Sequence, residues 1–224
     1  MNDNHTTSTR VAELEADNRR LRRLLEQRDA PGELRHRLRN TIALLRAIIR
    51  KSAVTPRDTE TYAGRLEGRL DALARAQAEA DANGGSDLYK LLTDELLQYD
   101  LGAGDRLSIT GPDVCLMPRA AQVFALASHE LAINSVEHGA AGADGHLLIR
   151  WDVLPSGAEQ IFFFSWREEL ARIAPPPGPD GFGFDILRNM LGYELRATTS
   201  LEVNPGAFAC TIQFPFSHEV GVQS

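Results

Sequence analysis

A histidine flanked by two arginines is the first feature of this chain with the chemistry of a nucleophile. His36 lies within a segment whose leucines and isoleucines recur at helical spacing and predict a buried stripe: Leu34, Leu38, Ile42, Leu45 and Ile49. His36 is two residues from both Leu34 and Leu38, which corresponds to about 200° around the helix. It is therefore predicted on the solvent-facing side, with Asn40 one turn further along the same side. An exposed imidazole beside cations is suited to attack a phosphoryl group, and a plain surface histidine is the alternative.

A second polar group lies on a long helix predicted over 118–137. Glu130 and Asn134 are one turn apart and share a face of this helix. A carboxylate and a carboxamide in this arrangement can hold a hydrated Mg²⁺ ion with its phosphates. The zinc pattern His-Glu-x-x-His is excluded because Asn134 stands where the second histidine is needed. The alternative is a polar helix edge in solvent.

Two glycines in the segment Asp180-Gly181-Phe182-Gly183 precede another predicted helix, at about 185–191. Glycines before a helix let the backbone approach phosphate oxygens, and the helix N-terminus attracts anions. The spacing of Gly181 and Gly183 therefore indicates a phosphate-binding loop, with an ordinary helix cap as the alternative.

Composition narrows the class of protein. The 224 residues are 43% hydrophobic and 25% charged, which allows a sizeable core in one large or two small domains. A net charge of −7 argues against nucleic-acid partners and against anionic membrane surfaces. Neither a signal peptide nor an apolar run of about 20 residues is found, and Cys115 and Cys210 fit no metal pattern, so a cytoplasmic protein is expected.

The chain is predicted to have a helical front and a mixed back. Two amphipathic helices joined by a short turn form a hairpin that covers only part of its apolar surface, and pairing two hairpins into a four-helix bundle predicts a homodimer. The back half alternates helices with strands, including strands over 194–203 and 208–216, which indicates an α+β fold with helices on one face of a mixed sheet. The predicted segments are a disordered tail (1–10), a short coiled coil (11–30), the dimerisation and histidine phosphotransfer hairpin (31–82), a linker (83–86), an α/β sandwich (87–217) and a tail (218–224).

The order of these motifs resembles that of HWE-type sensor histidine kinases. The segment 33–53, the helix 129–139, Trp166-Arg167-Glu168 and Gly181-Phe182-Gly183 occur in the family's order. The resemblance implies a dimeric four-helix bundle that carries two ATP-binding α/β sandwiches.

The resemblance also implies roles for individual residues. His36 would be the phosphoacceptor, with Asn40 beside it, and Glu130 a catalytic or metal-positioning carboxylate. Asn134 and Glu130 would hold Mg²⁺. The nucleotide-binding residues would be His129, Asn134, Trp166, Glu168, Gly181 and Gly183.

ATP and Mg²⁺ are the implied cofactors, and the implied partner is a response-regulator receiver domain whose aspartate accepts the phosphoryl group. An upstream sensor protein is a further expected partner. A second function stays open, that of a non-kinase histidine phosphotransferase or phosphatase with a degenerate ATP-binding domain. Two departures from the family pattern favour it: Glu169-Leu170-Ala171-Arg172 replaces a glycine-rich turn, and Glu137 stands where lysine is common.

Overall fold

The computed structural model describes residues 44–46, 48–49, 59–99, 106–141, 145–157, 159–169, 183 and 186–223. The chain divides into two compact units, Met1–Arg50 and Lys51–Ser224.

In the first unit, the described residues 44–46 and 48–49 are helical, as predicted. Ile48 is buried, whereas Ile49, predicted in the buried stripe, is 49% exposed. Ile48 and Ile49 are three and four residues after Leu45, and both positions border the stripe. In the structure Ile48 is the one that is buried. The predicted tail and coiled coil of residues 1–30, together with His36 and Asn40, lie outside the described residues.

The second unit is a sandwich of helices and sheet, which confirms the α+β class. Its helices are α1 (Thr59–Asn83), α2 (Leu88–Leu97), α3 (Pro118–His138) and α4 (Leu191–Leu195), the last preceded by a π-helical turn (Ile186–Met190). Its strands are β1 (Ser86–Asp87), β2 (Leu107–Thr110), β3 (Val114–Leu116), β4 (His146–Ser156), β5 (Glu159–Glu169), β6 (Thr198–Asn204), β7 (Ala207–Phe216) and β8 (Gly221–Gln223).

The main sheet has the strand order β2-β4-β5-β7-β6, in which only the β2–β4 pairing is parallel. Alternate residues of β5 point to opposite faces, so Phe162, Phe164, Trp166 and Glu168 all face inward. Phe124 of α3 packs edge-on against Phe164, with ring centroids 5.0 Å apart. This aromatic packing places α3, which carries Glu130 and Asn134, against the sheet.

The predicted linker over 83–86 is instead a tight turn. Asn83 still belongs to α1, and Gly84 ends the helix with a φ of 76°, a left-handed conformation that glycine adopts without strain. Ser86 already pairs with Leu116 in the small sheet β1-β3-β8. The connection between α1 and the sandwich is therefore short.

The structure also corrects two expectations near the C-terminus. The strand predicted over 194–203 begins only at Thr198, because α4 continues through Leu195 and ends at Arg196, whose φ is 55°. The predicted tail 218–224 contains strand β8, which pairs with β3. Strand β8 is three residues long, too short for a period-2 pattern to be recognised.

Helix α1 lies against α3 of the sandwich. Most of its buried residues are small or charged: Ala72, Ala76, Ala80 and Arg69. The large apolar residue Leu73 is also buried. The predicted hairpin of residues 31–82 is thus divided between the two units at Arg50, and the hairpin domain and its four-helix bundle stay predictions.

Candidate functional site

The structure brings three of the predicted site residues together. Gly183 lies directly against the face of α3 that carries Glu130 and Asn134. A Cβ atom on Gly183 would be 3.0 Å from Glu130 Oε2 and 3.4 Å from Asn134 Nδ2. Glycine therefore allows this close approach of the backbone to the two polar side chains. Gly181 lies outside the described residues.

Glu130 is not on a solvated edge, because Arg69 of α1 covers it. Arg69 Nε donates a hydrogen bond to Glu130 Oε1 at 2.6 Å, and Arg69 Nη2 donates one to Oε2 at 3.1 Å. The side chains are 4% and 3% exposed. This fork-like pairing of a guanidinium with both carboxylate oxygens is among the stronger polar contacts in proteins.

His129, the neighbour of Glu130, is buried in a polar cluster. Its Nδ1 atom lies 2.8 Å from Glu95 Oε1 and 3.3 Å from the Tyr99 hydroxyl. Because a carboxylate only accepts, the contact with Glu95 places a proton on Nδ1. Arg75 donates a 2.6 Å hydrogen bond to the other oxygen of Glu95. The cluster fixes the orientation of the imidazole ring.

The other ring nitrogen of His129 faces α1. Nε2 is buried and has no hydrogen-bond partner. A Cβ atom on Gly68 would lie 2.8 Å from His129 Cε1 and 3.0 Å from Nε2. The absence of a side chain at Gly68 thus lets α1 approach α3 closely over this ring.

Tyr99 is a neutral member of the cluster. Burial, reinforced by the negative charges of Glu95 and Glu130, raises the pKa of its phenol from 10.0 to about 12. Tyr99 therefore contributes a dipole rather than a charge beside His129.

Trp166 and Glu168 lie in the core, where they hold the end of α3. Trp166 Nε1 donates a 2.7 Å hydrogen bond to Glu168 Oε1, and Glu168 Oε2 accepts one from the Ala140 backbone N–H at 2.7 Å. Gly139 passes so close that a Cβ there would be 1.9 Å from Glu168 Oε2. Since both side chains are buried, their contacts in this structure position the helix that carries Asn134.

The donor set near Gly183 suits a magnesium–phosphate complex in part. Mg²⁺ prefers oxygen ligands and keeps several waters and substrate phosphates, so one or two protein oxygens suffice. The amide of Asn134 is half-buried beside Gly183. Both oxygens of Glu130 are engaged by Arg69. In this arrangement Asn134 is the more accessible ligand, because Glu130 is paired with Arg69 and only 3% exposed.

Sequence reasoning missed the residues that surround this site from α1 and α2. The missed residues are Arg65, Gly68, Arg69, Arg75, Glu95 and Tyr99. One signal was present: Ala72, Ala76 and Ala80 recur every four residues and form a face that a neighbouring helix can approach closely.

No helix in the part of the chain that the structure describes is long and apolar enough to cross a membrane.

The structure of this chain is similar to those of solved histidine kinases. The histidine kinase domain of the Erythrobacter litoralis EL346 blue-light activated histidine kinase superposes with a TM-score of 0.57 at 17% identity, covering 80% of this chain and 95% of that domain. A second structure of the EL346 kinase superposes with a TM-score of 0.56 at 18% identity, covering 84% of this chain and 63% of that one. The chain therefore has the fold seen in these two structures.

Sequence comparisons specify the family. Residues 33–113 match the HWE histidine kinase family. A blue-light-activated histidine kinase of Rhizobium johnstonii is 35% identical over 167 residues, which are 73% of this chain and 46% of that protein. A blue-light-activated histidine kinase of Brucella anthropi is 27% identical over 192 residues, which are 84% of this chain and 39% of that protein. The chain belongs to the HWE family of sensor histidine kinases, and it spans less than half the length of these relatives.

Proposed function

We propose that this chain autophosphorylates His36 from ATP and passes the phosphoryl group to an aspartate of a response-regulator receiver domain. The observation that carries the proposal is the convergence of Gly183 on Glu130 and Asn134, with a Gly183 Cβ position 3.0 Å from the carboxylate and 3.4 Å from the amide. Membership of the HWE family supports the same chemistry.

In the proposed reaction, Asn134 and Glu130 would hold the magnesium ion that accompanies ATP, and the Gly183 backbone would contact phosphate oxygens. Backbone N–H groups favour anions, and bound magnesium would supply neutralisation of the phosphate charge. Catalysis is then mostly a matter of position and electrostatics, as in other phosphoryl transfers.

The chemical step forms one bond and breaks one. His36 Nε2 attacks the γ-phosphorus in line, the bond from that phosphorus to the β,γ-bridging oxygen breaks, and ADP leaves with the electron pair. The imidazole proton passes to water, or to Glu130 where that carboxylate is not a magnesium ligand. Phosphohistidine then donates the phosphoryl group to the receiver aspartate.

Trp166 and Glu168 act, in this proposal, by holding α3 rather than by touching the nucleotide. Glu168 binds the Ala140 N–H, only six residues beyond Asn134. His129 has a comparable role from the other side, because its contact with Glu95 fixes the helix near Glu130. Homodimerisation through the hairpin and an upstream sensor protein are part of the proposal.

The non-kinase alternative loses one of its two arguments. Glu137, which stands where lysine is common in the family, forms an ion pair with Arg65 of α1. The substitution therefore has a structural partner and is not evidence for decay of a nucleotide site. Family membership also favours the kinase.

Calorimetry with Mg²⁺-ATP tests the nucleotide site. Binding in the micromolar to submillimolar range is expected, with loss of binding in Asn134→Ala and retention in Asn204→Ala, a matched change at an exposed position. Absence of binding at millimolar ATP would overturn the kinase proposal and favour the phosphotransfer module.

Phosphohistidine formation tests the acceptor. The chain incubated with Mg²⁺-ATP and radiolabelled γ-phosphate is expected to gain an acid-labile phosphate that passes to a receiver domain. His36→Gln should abolish the label and His218→Gln, at an exposed histidine, should retain it. A label that persists in His36→Gln would rule out His36 as the acceptor.

A further inference from the structure

We propose that α1 is a latch on this kinase: in the structure it closes over α3 and withholds Glu130 from magnesium and nucleotide, and its release opens the site. This inference rests on the proposed function, since it assigns regulation to the same site. The latch face of α1 is defined by Arg65, Gly68 and Arg69.

The first support is the ion pairing along this face. Arg65 pairs with Glu137, and Arg69 pairs with Glu130 through both carboxylate oxygens. Both glutamates lie on α3, one on each side of Asn134. Both Glu130 oxygens accept from the guanidinium, and the Glu130 side chain is only 3% exposed. Closure of α1 therefore shields Glu130 from a metal ion and from a proton donor.

A third arginine of α1 extends the pairing to α2. Arg75 donates to Glu95 at 2.6 Å, and Glu95 in turn holds His129 through a 2.8 Å contact. The closed helix is thus connected by charge to Glu130, Glu137 and Glu95 of the sandwich, and Glu130 belongs to the candidate site itself.

The second support is the unpartnered Nε2 atom of His129. It is buried without a hydrogen bond, directly under Gly68. Buried polar groups are nearly always satisfied in stable structures, by protein or by water. Movement of α1 away from α3 would give Nε2 access to water, so the closed state carries a local penalty that the open state relieves.

The third support is the composition of the interface. The buried residues of α1 are three alanines, Arg69 and Leu73, whereas its other large apolar residues, Tyr62, Leu66 and Leu70, are only half-buried. Interfaces rich in polar pairs and poor in large apolar side chains are typical of contacts that open and close. The turn at Gly84, with its φ of 76°, provides a pivot at the end of α1.

Binding of nucleotide and closure of the latch must then oppose each other reciprocally. If closure lowers the affinity for Mg²⁺-ATP, Mg²⁺-ATP must lower the stability of closure by the same factor. A signal that moves α1 would turn the kinase on without contact with the nucleotide site.

Glycine substitutions on α1 provide a matched pair of variants. Gly68→Ala places a Cβ 2.8 Å from His129 Cε1 and acts as a wedge under the helix, whereas Gly64→Ala meets nothing within 4 Å. Both changes raise the helix propensity of α1 equally. A difference between them therefore reports the wedge alone.

A second pair changes the charge. Arg69→Gln removes the cation that holds Glu130, and Arg119→Gln removes an arginine from an ion pair with Glu194, outside the latch face. Two readouts on the full chain are used: amide hydrogen exchange of α1 and α3 without nucleotide, and calorimetric affinity for Mg²⁺-ATP.

Gly68→Ala and Arg69→Gln are expected to speed exchange in α1 and around residues 127–134 of α3. They are expected to tighten Mg²⁺-ATP binding about 5- to 150-fold, the usual range of such couplings, while both controls stay at the wild-type values. Unchanged exchange in both variants would overturn the latch. Faster exchange with unchanged affinity would show that the latch does not guard the nucleotide site. If neither the wild type nor any variant bound Mg²⁺-ATP, the proposed function would be overturned, and the regulatory role with it. The difference in hydrogen exchange between the variants and their controls would still decide whether α1 opens.

Discussion

Trp166 and Glu168, two residues apart on β5, are joined by a 2.7 Å hydrogen bond from the indole to the carboxylate. Their separation by two puts them on the same inward face of the strand. The second oxygen of Glu168 accepts from the Ala140 N–H, just beyond the end of α3. The pair thereby connects the centre of the sheet to the helix that carries Asn134, so a buried motif positions a residue of the proposed nucleotide site without lining that site.

Glu168→Gln is predicted to destabilise the fold. Both partners of the carboxylate are donors, and an amide offers only one accepting oxygen, so its NH₂ group would face an N–H. Leaving a buried donor unpaired costs about 1–3 kcal/mol of unfolding free energy, measurable by urea denaturation. Glu169→Gln, at the exposed next residue, is the control and should change stability by less than about 0.5 kcal/mol. Equal losses in the two variants would argue against the role assigned to Glu168.

Gly139→Ala is predicted to disturb the same contact sterically. The new Cβ would lie 1.9 Å from Glu168 Oε2 and 2.9 Å from Ser135 Cα, so the carboxylate or the backbone must move. Loss of thermal stability and weaker Mg²⁺-ATP binding are expected together, because the end of α3 shifts. Gly192→Ala meets only an ordinary 3.5 Å contact and serves as the control for both measurements. A Gly139→Ala protein as stable as Gly192→Ala would contradict the close packing.

Much of the sandwich could be predicted because its patterns are local. The inward residues of β5 alternate with period two, and Pro118 marks the first turn of α3. The common face of Glu130 and Asn134 follows from helical spacing alone. The end of α4 could not be predicted, because Arg196 ends the helix in a left-handed conformation that gives no signal in a non-glycine residue.

The partners of the site residues could not be predicted for a different reason. Arg69 and Glu130 are 61 residues apart, and Glu95 and His129 are 34 apart. No periodicity encodes which helix packs over which, so the sequence predicts Glu130 only as a ligand or as part of a solvated helix edge. Its burial under an arginine is a tertiary property. The very short strands β1 and β8 were missed because two or three residues carry no pattern.

Glu95→Gln is predicted to loosen the cluster around His129. The neutral amide weakens the contacts to Arg75 and to His129 Nδ1, because both hydrogen bonds are strengthened by the negative charge of the carboxylate. A loss of about 1–3 kcal/mol in unfolding free energy is expected, since the group is buried. Asp94→Asn, next to it but in an exposed pair with Lys90, should lose at most about 1 kcal/mol. Comparable losses at the two positions would contradict the proposed anchoring of His129.

Stability above pH 10 is predicted to depend on Tyr99. Burial and the nearby carboxylates raise its pKa from 10.0 to about 12 in the folded chain. Between these values the unfolded chain loses the phenolic proton while the folded chain retains it, so the unfolding free energy falls as pH rises. Below pH 10 both states are protonated, and this contribution to stability is fully present.

Tyr99→Phe isolates that contribution. Urea unfolding of the wild type and of Tyr99→Phe, compared from about pH 9 to about pH 12, should show a steeper loss in the wild type, because only the wild type can release the Tyr99 proton on unfolding. Tyr193→Phe is the control, since Tyr193 is 82% exposed, and it should follow the wild-type slope. If Tyr99→Phe and the wild type lose stability in parallel across this range, the phenol is not held neutral by its position between His129 and the two glutamates.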